Sequence, residues 1–243
     1  MKFKKVIIVV LLFVCCILFI ISTSILIKHY LDYKNNKIIT EQLVQEVIKI
    51  DTNKEISTTT IDWQKLRAIN NDIVAWIEIP NTNINYPILK DGYNLYYLKH
   101  DYNKQYSSSG SIFTSNINPF IENETIIYGH NMKNNTMFSE LGKYLKKDFL
   151  DSHNLIKIYT QNGNYEGTIF SVYSISVNDE NKNIKNLNFN ERIQYYEKSS
   201  RQSINKVKNI NKIIKLSTCS YLNTRTSPTD QRYYIIASLS PIS

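Results

Sequence analysis

At 243 residues the chain has room for one domain of ordinary size and a membrane anchor. Its formal net charge of +8 falls to +5 once Lys2, Lys4 and Lys5, ahead of an apolar run, are set aside; no polybasic block remains, which argues against nucleic-acid binding. Of the three cysteines, Cys15 and Cys16 lie inside the apolar run, so Cys219 has no disulfide partner and a disulfide framework is excluded.

The apolar run, Val6 to Ile27, holds 22 residues without a charge, and about 20 apolar residues span a bilayer core. It exceeds the roughly 7–15 apolar residues of a cleaved signal peptide, and Ser22-Thr-Ser24 is a poor cleavage site. An uncleaved signal anchor over residues 6–27 is predicted. Lys2, Lys4 and Lys5 before it balance Lys28, Lys34 and Lys37 after it. The positive-inside count is thus a tie, but long C-terminal domains translocate largely regardless of nearby charge. The expected topology is single-pass in the cell membrane, with residues 1–5 cytoplasmic and the remainder extracellular.

Beyond the span, Ile39, Leu43, Val47 and Ile50 recur at helical spacing and predict an amphipathic helix. Asp51 to Thr60 reads as a linker, so residues 28–60 are expected to form a helical stalk and linker that supply no chemistry. Trp63, Leu66 and Ile69 predict a second short helix at the start of a globular domain over residues 61–243. Eight strands follow: Ala75–Ile79, Asn83–Leu89, Ser111–Ser115, Glu124–Tyr128, Leu155–Thr160, Glu166–Val177, Lys212–Thr218 and Gln231–Leu239. β-branched and aromatic residues dominate them, with Pro80, Gly92, Gly110 and Asn162-Gly-Asn164 as punctuation. Helical patterns interrupt them at about Thr136–Leu145 and Asn190–Ile204. The pattern predicts a mainly β fold, a closed barrel without exposed sheet edges, carrying inserted helices.

Three residues stand out for chemistry. Cys219 ends the run Lys212-Ile-Ile-Lys-Leu-Ser-Thr-Cys219. A cysteine attacks as its thiolate, which needs a neighbouring base or positive charge. In the strand alternation Ile214, Leu216 and Thr218 share one face, while Lys215, Ser217 and Cys219 share a polar face that favours an accessible thiol. His130 closes Thr125-Ile-Ile-Tyr-Gly-His130, where Gly129 is expected to allow a sharp turn; it could serve as base or as cation. Arg232 opens the apolar run Arg232-Tyr-Tyr-Ile-Ile-Ala. Its guanidinium cannot act as a base, but its fixed donors suit a developing oxyanion. On residues alone the alternatives stay open: a buried structural thiol, a hydrogen-bonded loop histidine, a surface arginine. His29 is juxtamembrane, His100 reads as a surface or supporting residue, and His153 lies in a turn. No metal-ligand spacing, phosphate loop or dinucleotide fingerprint occurs, and no metal or cofactor is expected.

The segments Tyr128-Gly-His130-Asn-Met132 and Leu216-Ser-Thr-Cys219, followed by Arg232, resemble the sortase family of Gram-positive cell-surface cysteine transpeptidases, and class B within it. The resemblance covers about Ile61 to Leu239. It implies an eight-stranded sortase-type barrel with N-terminal helices and a long helix before the cysteine strand. It also implies a reaction. Cys219 attacks a Thr carbonyl in the C-terminal sorting signal of a secreted protein, His130 protonates the leaving amine, and an amine of peptidoglycan or its precursor resolves the thioester. Asn94, Leu98 and Ser217 are the implied substrate-binding positions. Two features depart from the pattern: Lys215 stands where the family often has Thr, and the stretch Tyr221 to Gln231 is long, carries Arg225 and lacks the usual acidic residue after the cysteine. The competing readings are a non-catalytic extracellular barrel that binds wall polymer or another ligand, and a cysteine peptidase that only hydrolyses.

Overall fold

The computed structural model describes residues 2–51, 58–92, 95–204, 206–222 and 229–242. Helix α1 (Lys2–Val47) is continuous. Its N-terminal part is long and apolar enough to cross a membrane, and side chains from Val6 to Ile27 are largely exposed. The amphipathic helix expected at Ile39–Ile50 is, as far as Val47, the last part of α1 and not a separate element, and Ile50 falls in the strand that follows. Its Leu43 and Val47 are buried among Leu66, Trp76, Leu89 and Tyr97. The stalk therefore contributes to a core of the globular domain.

The threonine run expected as linker is in part a strand. Ile48–Asp51 (β1) pairs antiparallel with Thr58–Ile61 (β2), in keeping with the preference of β-branched residues for extended backbone. Helix α2 (Trp63–Ile69) follows, started by the Asp62 side chain, which accepts from the Lys65 N–H at 3.0 Å.

All eight predicted strands are present: β3 (Ile73–Glu78), β4 (Asn85–Lys90), β5 (Ile112–Thr114), β6 (Glu124–Tyr128), β7 (Leu155–Thr160), β8 (Gly163–Ser176), β9 (Ile213–Cys219) and β10 (Gln231–Ile242). They close into a barrel in the order β10-β8-β7-β3-β4-β5-β6-β9. β4–β5 and β6–β9 are parallel pairs, and the other neighbours are antiparallel. Ile77, Ile88, Ile127, Val172, Leu216 and Ile235 belong to the central core, and each is fully buried.

The helical pattern at Thr136–Leu145 is a 3₁₀ segment over Ser139–Leu145, followed by α3 (Lys147–Ser152). Between β8 and β9 lie α4 (Val177–Ile184) and α5 (Phe189–Ser199). α5 matches the helix predicted at Asn190–Ile204 but ends earlier. It opens on a capping box in which the Asn188 side chain accepts from the Glu191 N–H at 3.0 Å and the Glu191 carboxylate accepts from the Asn188 N–H at 2.8 Å.

These two helices correct the expectation for the polar face of β9. Lys215 and Ser217 are buried, and Lys215 is only 2% exposed. Lys215 Nζ donates to Glu180 of α4, and it lies 4.9 Å and 4.3 Å from the ring centroids of Tyr196 and Tyr234. Tyr173 and Tyr195 donate to the two oxygens of Glu180 at 2.8 and 3.0 Å. Burial strips water from the Lys215 ammonium and lowers its pKa, while the Glu180 charge pulls it back up. The face is polar because an ion pair is enclosed there. Cys219 escapes only by standing at the strand end, where it is half-buried.

Candidate active site

The strand register assembles the site. Tyr128 of β6 stands beside Ser217 of the parallel strand β9. Two residues further along each chain are His130 and Cys219, which therefore arrive at the same end of the barrel. On the other side of β9, Arg232 of β10 is the antiparallel register partner of Cys219. Cys219 thus has the β6 extension carrying His130 on one flank and Arg232 on the other.

Backbone and side-chain hydrogen bonds fix this end. The Gly129 N–H donates to the Ser217 carbonyl at 3.2 Å, and the His130 carbonyl accepts from the Phe138 N–H at 2.9 Å. Asn131 Nδ2 donates to the Cys219 carbonyl at 2.8 Å. His130 Nε2 lies 2.8 Å from the Leu98 carbonyl. A carbonyl can only accept, so Nε2 carries the proton and Nδ1 is left as the ring nitrogen for proton exchange. On the far flank, Arg232 Nη1 donates to the Thr229 and Gln231 carbonyls at 2.7 and 2.9 Å. The guanidinium is thereby held before any substrate arrives.

Two glycines permit the close approaches. Gly129 was expected to supply a turn, but its φ is not in the left-handed region. Its role is space: a Cβ there would lie 2.4 Å from Ile112 Cδ1 and 2.8 Å from Phe138 Cδ2. Gly110 has φ +56°, and a Cβ there would come within 2.5 Å of the Leu98 carbonyl oxygen that holds His130.

Of the expected substrate-binding residues, Leu98 is at the site through that carbonyl. It closes a 3₁₀ turn, Tyr96–Leu98, entered through Leu95 at φ 56°. Ser217 is buried, 4% exposed. Asn94 lies outside the described residues, as does Arg225. His100 stacks on Tyr96 at 3.8 Å with Nδ1 2.7 Å from the Tyr96 carbonyl, and His153 stacks on Phe149 at 4.1 Å. Neither is tied to Cys219. Asn131 was missed by the sequence reading, although it follows His130 directly. Thr218 Oγ1 is buried with no hydrogen-bond partner among the described residues. No cluster of three or more His, Cys, Asp or Glu able to hold a metal occurs among the described residues.

The arrangement places a thiol, an imidazole with one committed nitrogen and an anchored guanidinium at one end of a rigid barrel. Comparison with known proteins agrees with the chemistry those groups suggest. The sortase domain family model matches residues 77–240. Sortase B of Listeria monocytogenes is 37% identical over 190 residues, covering 73% of this chain and 77% of the relative. Sortase B of Staphylococcus aureus is 30% identical over 224 residues, 90% of each chain. The structure of the Staphylococcus aureus sortase B–substrate complex superposes with a TM-score of 0.64 at 32% identity, over 74% of this chain and 85% of that one. Sortase B from Bacillus anthracis in complex with AAEK1 gives a TM-score of 0.70 at 26% identity, over 88% and 100%. The chain belongs to the sortase family, and within it to the class B enzymes, which are cysteine transpeptidases.

Proposed function

We propose that the chain attaches secreted proteins to the cell wall, with Cys219 as nucleophile, His130 as acid and base, and Arg232 as oxyanion partner. The position of Cys219 between the β6 extension and Arg232 carries this reading. Cys219 gives its thiol proton to His130 Nδ1, and the thiolate adds to the carbonyl carbon of the scissile peptide in a C-terminal sorting signal. The carbonyl oxygen becomes an oxyanion facing the Arg232 guanidinium. Collapse of the adduct breaks the C–N bond, and the leaving amine takes a proton from His130. The acyl group remains on Cys219 as a thioester. An amine of peptidoglycan or its precursor then attacks the thioester, giving its proton to His130, and a new amide leaves with the thiolate restored. Asn94, Leu98 and Ser217 are assigned as the substrate-binding positions.

Residues 6–27 act in this reading as a single-pass membrane anchor, with residues 1–5 cytoplasmic, 28–60 a stalk and 61–243 the extracellular catalytic domain. The exposed apolar run of α1 supports the anchor. The decisive experiment incubates the protein with a panel of sorting-signal peptides, with and without an amine acceptor. Mass spectrometry should find the acyl group on Cys219 and an amide-ligated product. Hydrolysis alone, whatever the acceptor concentration, would reduce the protein to a peptidase.

A further inference from the structure

The strand directions can be followed against α1. Asp32 and Asn36, the part of α1 nearest its apolar run, bond Ser108 and Ser107 in the connection that leads into β5. This part of α1 therefore lies at the end of the barrel where β5 begins. β5 is parallel to β4, β6 is antiparallel to β5, and β9 is parallel to β6. β6 and β9 thus end where β5 begins. Their C-terminal ends, leading to His130 and Cys219, lie at the end of the barrel nearer the apolar half of the helix.

Asn36 Nδ2 donates to Ser107 Oγ at 2.8 Å, and the Ser108 N–H and hydroxyl both donate to Asp32. Asp32 is five residues beyond Ile27, a rise of about 7.5 Å. The headgroup layer on each side of a bilayer is roughly 5–7 Å thick. This end of the barrel also exposes apolar side chains. Tyr221 and Leu222 stand two and three residues after Cys219, Leu95 opens the turn that holds His130, and Tyr106 adjoins Ser107. Tyrosine is favoured at the headgroup level.

We infer that the catalytic end of the barrel faces the bilayer, seated on lipid headgroups through Leu95, Tyr106, Tyr221 and Leu222, so that the site takes polypeptides held at the membrane surface. The inference rests on residues 6–27 being the anchor. Exposed Ile117 and Ile121 lie in the β5–β6 connection at the opposite end and serve as controls.

The test uses the full-length Cys15→Ser/Cys16→Ser chain in phosphatidylcholine vesicles. The probe is maleimide tethered to lipid through poly(ethylene glycol) spacers of graded length, with soluble maleimide as the reference for thiol reactivity. Spacers of about 10–15 Å should capture Cys219, the height expected from the helix rise. A catalytic end facing away would require spacers beyond roughly 30 Å, since β9 alone adds about 20 Å of strand. Inserting seven residues between Ile27 and Asp32 should lengthen the shortest capturing spacer by about 10 Å with soluble labelling unchanged. Leu95→Asp/Tyr106→Asp should lower short-spacer capture about tenfold relative to soluble labelling, and Ile117→Asp/Ile121→Asp should not. Capture by long spacers only, or equal effects of the two double variants, overturns the inference while leaving the anchor intact. Failure of the chain to float with the vesicles removes the anchor and the inference together.

Discussion

Arg232 stands directly opposite Cys219 in the antiparallel ladder of β9 and β10, and its Nη1 is tied to two backbone carbonyls. A donor already ordered by a sheet loses little conformational entropy when an oxyanion forms beside it. Arg232→Ala is expected to lose a factor of about 10² or more in turnover, the size typical of one oxyanion donor. Arg232→Lys should recover little, because an ammonium cannot reproduce the guanidinium fork. Arg225→Ala should alter apparent affinity or substrate preference at most. Steady-state kinetics on one peptide substrate would check all three, and a reversed ranking of Arg232→Ala and Arg225→Ala would move the oxyanion role to Arg225.

Cys219→Ala should abolish acyl-enzyme formation with the fold intact, since a small side chain at a strand end leaves little cavity. His130→Ala should lower turnover by about 10²–10⁴, the usual contribution of a general acid–base group. Single-turnover measurement of the thioester would separate the two, because loss of the acid slows departure of the amine and loss of the nucleophile removes the thioester altogether. A loss below about tenfold for His130→Ala would hand the acid role to another group.

Gly129→Ala tests whether close packing places His130. The added methyl meets Ile112 and Phe138, and overpacking of this kind costs about 1–3 kcal/mol. Activity should fall more than stability explains, because His130 is the next residue. Ile112→Val removes the nearer atom and should restore part of both when combined with Gly129→Ala. Urea unfolding and peptide kinetics on the same samples provide the comparison, and full activity in Gly129→Ala would show that the histidine tolerates the shift.

The enclosed Lys215–Glu180 pair makes a different prediction. Lys215→Met alone strands the Glu180 carboxylate inside the protein, and breaking a buried pair costs about 3–5 kcal/mol. Lys215→Met/Glu180→Gln should regain most of that loss, since the amide can still bond Tyr173 and Tyr195. Denaturant midpoints of the two variants decide the matter. A single variant as stable as the parent would mean that the carboxylate finds another partner or a proton.

Removal of residues 1–27 should leave the domain folded, whereas a chain beginning near Asp51 should be destabilised. The second cut takes away Leu43 and Val47, whose burial contributes about 3–6 kcal/mol together. Thermal unfolding of the two truncated chains would show the difference, and equal melting temperatures would mean that the stalk packs without stabilising.

The barrel was legible because its strands alternate cleanly between punctuating glycines and asparagines. β6 and β7 match their predicted bounds to the residue. The part of β2 in the threonine run was not legible, since its pairing partner reads as the tail of a helix. α4 was hidden for a related reason: its buried residue is Glu180, and a carboxylate gives no apolar periodicity. The same blindness made the Lys215 face look solvated. A charge in sequence reads as surface until its partner, here 35 residues away, is brought against it. Cys219, His130 and Arg232 could be picked out by residue type and motif. The Leu98 carbonyl and Asn131 act through contacts that only the closed barrel creates.

The parallel pairing of β6 with β9 also bears on when the proposed site is assembled. Thr125 and Ile214 are register partners although about ninety residues separate them along the chain. Contacts that distant form late in folding, because the entropy of closing a long loop must be met before pairing rewards it. Until then the Cys219 thiol has neither His130 nor a fixed Arg232 beside it. On the proposed mechanism the site is assembled by barrel closure itself, so an incompletely folded chain would be spared premature acylation.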